Sequence, residues 1–152
     1  MGYRESILTP HGYRVTYVRR PGYRGSDPKD ICIAEINGVT YYPFKDPGHY
    51  GRIRAIQDRI PHMARFTDTI DDVILMEAAP GTLLWEIDSP PDPSIIATQL
   101  TEFADATRDQ KLIHGDVRPW NVVVNGDVVR IIDWNLSRFV DDLSLGDDVL
   151  RA

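Results

Sequence analysis

Cysteine is nearly missing from this chain. Cys32 stands alone among 152 residues, so no disulfide can form within one chain. It sits in an apolar run, and we expect a buried small side chain rather than a reactive thiol. Long hydrophobic runs are absent too. Nothing approaches the roughly 20 apolar residues a membrane span needs, and the N-terminus carries no signal-peptide pattern. Internal repeats and low-complexity stretches are also lacking. These absences point to a cytoplasmic protein with no membrane partner. Lysine is scarce, with three (Lys29, Lys45 and Lys111) among 17 basic residues.

A 42% hydrophobic content supports a real core in one domain or two small lobes. The net charge of -6 is uneven. Residues 1–60 hold ten Lys or Arg against six Asp or Glu, and residues 61–152 hold seven against seventeen. The acidic total argues against general nucleic-acid binding. The basic first part reads as a solvated face or as a surface that meets an anion.

The first third reads as β. Residues 13–20 alternate and are rich in β-branched and aromatic types, 21–30 form a polar loop, and 31–36 form a second strand. Asn37-Gly38 signals a two-residue hairpin into the strand 39–45, against which Pro43 is an objection. Residues 52–60 place Ile53, Ile56 and Ile60 at helical spacing before Pro61. Strands at 64–69 and 73–78 follow, turning at Asp71-Asp72. Then come a turn with a short helix (79–87) and a connector (88–93). A helix over 94–109 has Ser94 as its cap and Ile95, Leu100, Phe103 and Ala104 as its buried stripe. Strands at 121–125 and 127–133 are joined at Asn125-Gly126. The tail is acidic.

The stretch Leu112–Trp134, "LIHGDVRPWNVVVNGDVVRIIDW", places polar groups at the ends of these last strands. In a tight hairpin Asn121 and Asp133 end as neighbours, and Asp116 lies on the loop feeding the same end. Taken singly, each is an ordinary turn or cap residue. Together they form a rim of oxygen donors, which suits a hard divalent cation that takes further ligands from phosphates.

The segment "HGDVRPWN" resembles the protein-kinase catalytic loop, and "IIDWN" resembles the metal-binding segment that follows it. With the order of strands and helices, the resemblance covers residues 13–138. It implies an α+β, two-lobed protein-kinase-like fold over 1–152, with a five-stranded small lobe at 13–79 and a reduced large lobe at 80–152. It also implies that Asp116 accepts or orients the proton of an acceptor hydroxyl. Asn121 and Asp133 would hold Mg²⁺, or Mn²⁺, on the phosphates of ATP, and Arg118 would face the transferred phosphoryl group. Lys45 would pair with the phosphates, and no other Lys falls on an expected strand. Gly22 and Gly25 would cover the phosphates. Met76 would line the adenine pocket, with backbone groups of Glu77 and Ala79 reading the base edge. His114 would pack beneath the loop.

The chain departs from the kinase pattern in five places. The loop at 21–30 has no complete glycine motif. The helix after Lys45 lacks a Glu, leaving Gln57 and Asp58 as its candidate partners. Gly115 replaces the Arg that reads an activation-loop phosphate, as in aminoglycoside-phosphotransferase-like and other atypical kinases. Trp134-Asn135 replaces Phe-Gly, with Asn135 suited to a left-handed turn. The large lobe is short, which suggests a minimal protein, a fragment, or a protein partner that completes it. The reading that follows is ATP-dependent phosphotransfer to a hydroxyl of a protein Ser or Thr or of a small molecule. The alternatives are a pseudokinase that binds nucleotide or a partner with little turnover, and a plain structural domain.

Overall fold

The computed structural model describes residues 2–20 and 27–142. It is a mixed α+β structure whose chain divides into two units.

The first unit comprises residues 1–55 and 64–79. Its centre is an antiparallel sheet of β1 (Arg14–Arg20), β2 (Lys29–Ile36), β3 (Val39–Lys45), β4 (Phe66–Ile70) and β5 (Val73–Glu77), in the order β1-β2-β3-β5-β4. The β2–β3 turn is Asn37-Gly38, with φ of 53° and 77°, as a hairpin of that composition requires. Pro43 lies on a central strand, yet it costs no ladder bond. Pairing of β2 with β3 ends at Tyr41, and the Pro43 carbonyl faces that unpaired side, where it accepts from Arg4 Nη1 at 3.1 Å.

An N-terminal helix, α1 (Tyr3–Leu8), has no counterpart in the sequence-based reading. It covers one face of the sheet, burying Leu8 against Ala34, Val73 and Leu75. Cys32 is buried on this face, as expected, and burial pushes its thiol pKa up. The opposite face takes α2 (His49–Ile56), whose Tyr50 meets Phe44 and stacks on Phe66 at 5.5 Å. This helix starts three residues before the expected position because Asp46 caps it. The Asp46 carboxylate accepts from the backbone N–H of Gly48, Tyr50 and Gly51 at 2.8–3.0 Å. It tightens to a 3-10 turn at Gln57–Arg59.

The second unit comprises residues 56–63 and 80–152. The expected short helix after the turn at 79–81 is instead a strand, β6 (Thr82–Leu83), followed by a 3-10 turn. Helix α3 (Pro93–Asp109) is capped by Asp92 rather than Ser94. Asp92 accepts from the Ser94 N–H and hydroxyl, and Pro93 occupies the first helical position. Phe103 and Thr107 are its buried residues, while Ala104 is exposed. Strand β7 (Leu112–Ile113) precedes the loop, and β8 (Val122–Asn125) and β9 (Val128–Ile131) form the hairpin beside β6. Its turn is Gly126-Asp127 rather than Asn125-Gly126, because Asn125 pairs with Val128 and the positive φ falls on Gly126. Gln99 fastens this hairpin to α3, donating to Asp127 O and accepting from Val129 N–H. Strand β10 (Arg138–Phe139) returns to β7. Among the described residues no helix is long and apolar enough to cross a membrane.

Candidate active site

The loop between β7 and β8 carries the polar residues. Its base is an aromatic group: His114, Phe103 and Trp134 stand with ring centroids 4.7–6.0 Å apart, and all three are buried. His114 holds the loop from beneath. The Asp116 N–H donates to His114 Nδ1 at 3.1 Å, and His114 Nε2 lies 2.9 Å from Ile132 O. A carbonyl can only accept, so Nε2 carries the proton and Nδ1 is bare. Burial lowers the His114 pKa most. The Ile132 hydrogen bond and the charges of Asp133 and Asp116 act the other way without reversing it. A second proton would also set Nδ1–H against the Asp116 N–H.

A pH dependence follows. In acid the unfolded imidazole takes its proton before the folded one. The His114 contribution to stability is therefore complete above the ordinary range near 6.5 and is lost as pH falls toward the lower folded value. Unfolding free energies between pH 7 and 5 should decline in the wild type and decline less steeply in His114→Gln. Equal slopes would contradict this placement of the proton.

Asp116 and Asn121 meet directly. Asn121 is buried, and its Nδ2 donates to both Asp116 O and Asp116 Oδ2 at 2.9 Å. The backbone carbonyl contact fixes the amide orientation, because a carbonyl must face the nitrogen. Asn121 Oδ1 then carries no bond to a described residue and is available as an oxygen donor. Arg118 Nε donates to Asp116 Oδ1 at 3.1 Å, and its guanidinium lies over the Trp120 ring. Both oxygens of Asp116 are thus oriented by side chains of its own loop. Asn121 closes a 3-10 turn before β8, and its carbonyl accepts from the Ile132 N–H at 2.9 Å.

Asp133 follows Ile132 in an exposed position with φ of 62°. The left-handed residue of this turn is Asp133 itself and not Asn135. Asp133 Oδ1 accepts the Asn135 N–H at 3.1 Å, the local bond that lets an Asp tolerate that backbone. Its other oxygen carries no hydrogen bond to a described residue. Gly115 has φ of 86°, and a Cβ there would lie 2.7 Å from the Leu136 carbonyl oxygen. The backbone therefore has no room for the Arg found here in phosphate-gated kinases.

The nucleotide-binding residues expected in the first unit do not all fall together. Directly opposed residues share a sheet face, and successive residues alternate. Met76 opposes Tyr42, which puts it with Phe44 on the face that takes α2. Lys45 opposes Val73 and lies on the other face, where its Nζ stands 4.6 Å from the centre of the Tyr3 ring of α1. One strand position separates Lys45 from Met76's face, and that parity is invisible until the register is known. Glu77 already uses its N–H on Arg65 O, and its side chain accepts from Arg65 N–H. Ala79 makes no backbone hydrogen bond to another described residue. Gly22 and Gly25 lie outside the described residues.

Against known family models, residues 49–141 match the RIO domain. The chain belongs to the RIO domain family. RIO domains are members of the atypical protein-kinase-like superfamily, so the kinase resemblance and the α+β kinase-like fold both stand. The RIO match begins after Lys45 and spans the loop, the hairpin and Asp133. A comparison with curated proteins found no match.

RIO proteins in general use ATP and a divalent metal. The donors in this RIO domain suit such an ion. Among the described residues no cluster of three or more His, Cys, Asp or Glu could hold a metal. One carboxylate oxygen on Asp133 and the Asn121 amide oxygen carry no hydrogen bond to a described residue, and either could serve as an oxygen ligand. Such ligands are those expected of a cation completed by phosphate and water.

Proposed function

We propose that this RIO domain is an ATP-dependent phosphotransferase that moves the γ-phosphate to a hydroxyl. The observation that carries the reading is the Asp116–Asn121–Arg118 network beside Asp133. Asp116 orients the acceptor hydroxyl and takes its proton at a carboxylate oxygen, while Asn121 and His114 fix that carboxylate from the side chain and the backbone. Asn121 and Asp133 are the residues that hold the divalent ion. An ion held there would supply charge stabilisation for the phosphates during transfer. Arg118 is exposed and planar, and it can swing from Asp116 to an equatorial phosphoryl oxygen. Catalysis is then chiefly positioning and charge stabilisation.

The test is phosphate release and autophosphorylation by wild type and by Asp133→Asn with ATP and Mg²⁺. Wild type should turn over. Asp133→Asn should lose activity and metal-dependent ATP affinity together, because a carboxylate ligand has become neutral. An Asp133→Asn protein as active as wild type would remove the metal role.

A second reading, a nucleotide-binding module with little turnover, draws on Lys45. Its place against Tyr3 leaves the expected phosphate lysine on the wrong sheet face for Met76. Wild type that binds ATP and transfers nothing to itself, to proteins or to small alcohols would favour it.

A further inference from the structure

Lys45 lies on the sheet face opposite Met76, and the register gives the cations on Met76's own face. Counting across β1, β2, β3 and β5, the face of Met76 and Tyr42 also carries Val18, Ile31, Ile33, Arg20 and Lys29. Arg20 and Lys29 are directly opposed at the ends of β1 and β2. Lys29 thus lies on a strand, where the sequence predicts a polar loop over 21–30.

Two like charges directly opposed on one face weaken a strand pair unless something offsets them. The neighbouring pair shows the ordinary solution. Arg19 opposes Asp30 on the other face, and the two form an ion pair at 3.5 Å. Arg20 and Lys29 have no acid partner among the described residues. Arg20 Nη2 instead donates to the Tyr42 hydroxyl at 3.2 Å, which ties the guanidinium to the face of Met76. Beside the two cations lies an apolar pair, Val18 opposite Ile31, with Val18 41% exposed, and the buried Ile33 is next along the face. A flat apolar group followed by a chain of negative charges matches that order of surfaces.

We propose that Arg20 and Lys29 are the phosphate-chain ligands of this domain, taking the place expected of Lys45. The inference rests on the nucleotide reading given above. It names a guanidinium fork held by Tyr42 and an ammonium opposite it, both on the sheet face of Met76.

Calorimetry separates the possibilities. Wild type, Arg20→Gln/Lys29→Gln, Arg20→Lys/Lys29→Arg and Lys45→Gln are each titrated with ATP, inorganic tripolyphosphate and adenosine. All the altered side chains are exposed, and melting temperatures check the fold. We expect the double Gln variant to bind ATP and tripolyphosphate at least tenfold more weakly, with adenosine affinity unchanged. The charge-conserving variant should retain most of the affinity, and Lys45→Gln should match wild type. The proposal is overturned if the double Gln variant binds tripolyphosphate as wild type does, if Lys45→Gln shows the loss instead, or if wild type does not bind tripolyphosphate. Tripolyphosphate binding lost in the double Gln variant, with no adenosine binding and no preference for ATP, would uphold the anion pair and overturn the nucleotide reading.

Discussion

Asp116→Asn should lower phosphoryl transfer on the order of 10²-fold or more while leaving ATP affinity close to wild type. The substitution is nearly isosteric. It keeps a group beside Asn121 and Arg118 but removes the carboxylate proposed to take the acceptor proton. Asp116 Oδ1 and Oδ2 are held by Arg118 and Asn121, and the backbone N–H is held by His114, so the loop can stay in place. The effect belongs in kcat rather than in nucleotide Kd. Turnover unchanged by Asp116→Asn would remove the role assigned to that carboxylate. A parallel loss of ATP affinity would mean that Asp116 acts through the nucleotide.

Gly115→Ala should cost about 1–3 kcal/mol of stability from the backbone alone, since an L side chain is strained at a φ of 86°. The Leu136 carbonyl must also move to relieve its contact with the new methyl. Leu136 lies in the turn that begins at Asp133, so the cost spreads to the segment proposed to hold the metal. We expect a lower melting temperature and a fall in turnover beyond what the unfolded fraction explains. Gly115→Arg should behave no better, even though it restores the residue typical of phosphate-gated kinases. A Gly115→Arg protein as stable as wild type would show that the loop relaxes more easily than the contact implies. The same geometry predicts that phosphatase treatment leaves wild-type turnover unchanged, since no side chain at 115 can read an activation-loop phosphate.

The polar motif was legible in sequence because its spacing is local. Asp116, Asn121 and the hairpin that brings Asp133 back lie within 18 residues, and backbone geometry over that distance leaves few choices. The Asn37-Gly38 turn and α3 were legible for the same reason. The failures were long-range or turned on one residue. Helix α1 is short, and what makes it a helix is the burial of Leu8 against Leu75, far along the chain. The early start of α2 was available in Asp46-Pro47-Gly48 as a capping signal that periodicity alone passed over. The second hairpin turn moved by one position because Gly126, and not Asn125, takes the positive φ. The side that Lys45 faces was not legible either: it ends the third strand as the kinase phosphate lysine does, yet a strand alternates every residue, and the pairing with β5 puts it on the face opposite Met76. The same pairing puts Arg20 and Lys29 on the face of Met76, a placement no motif marks.

Calorimetric titration of wild-type protein with ATP in the presence and absence of Mg²⁺ tests the proposed nucleotide site most directly. If Asn121 and Asp133 hold the ion as proposed, ATP should bind with heat at roughly micromolar to millimolar Kd, and Mg²⁺ should tighten it about tenfold or more. No binding at millimolar ATP with either Mg²⁺ or Mn²⁺ would contradict it.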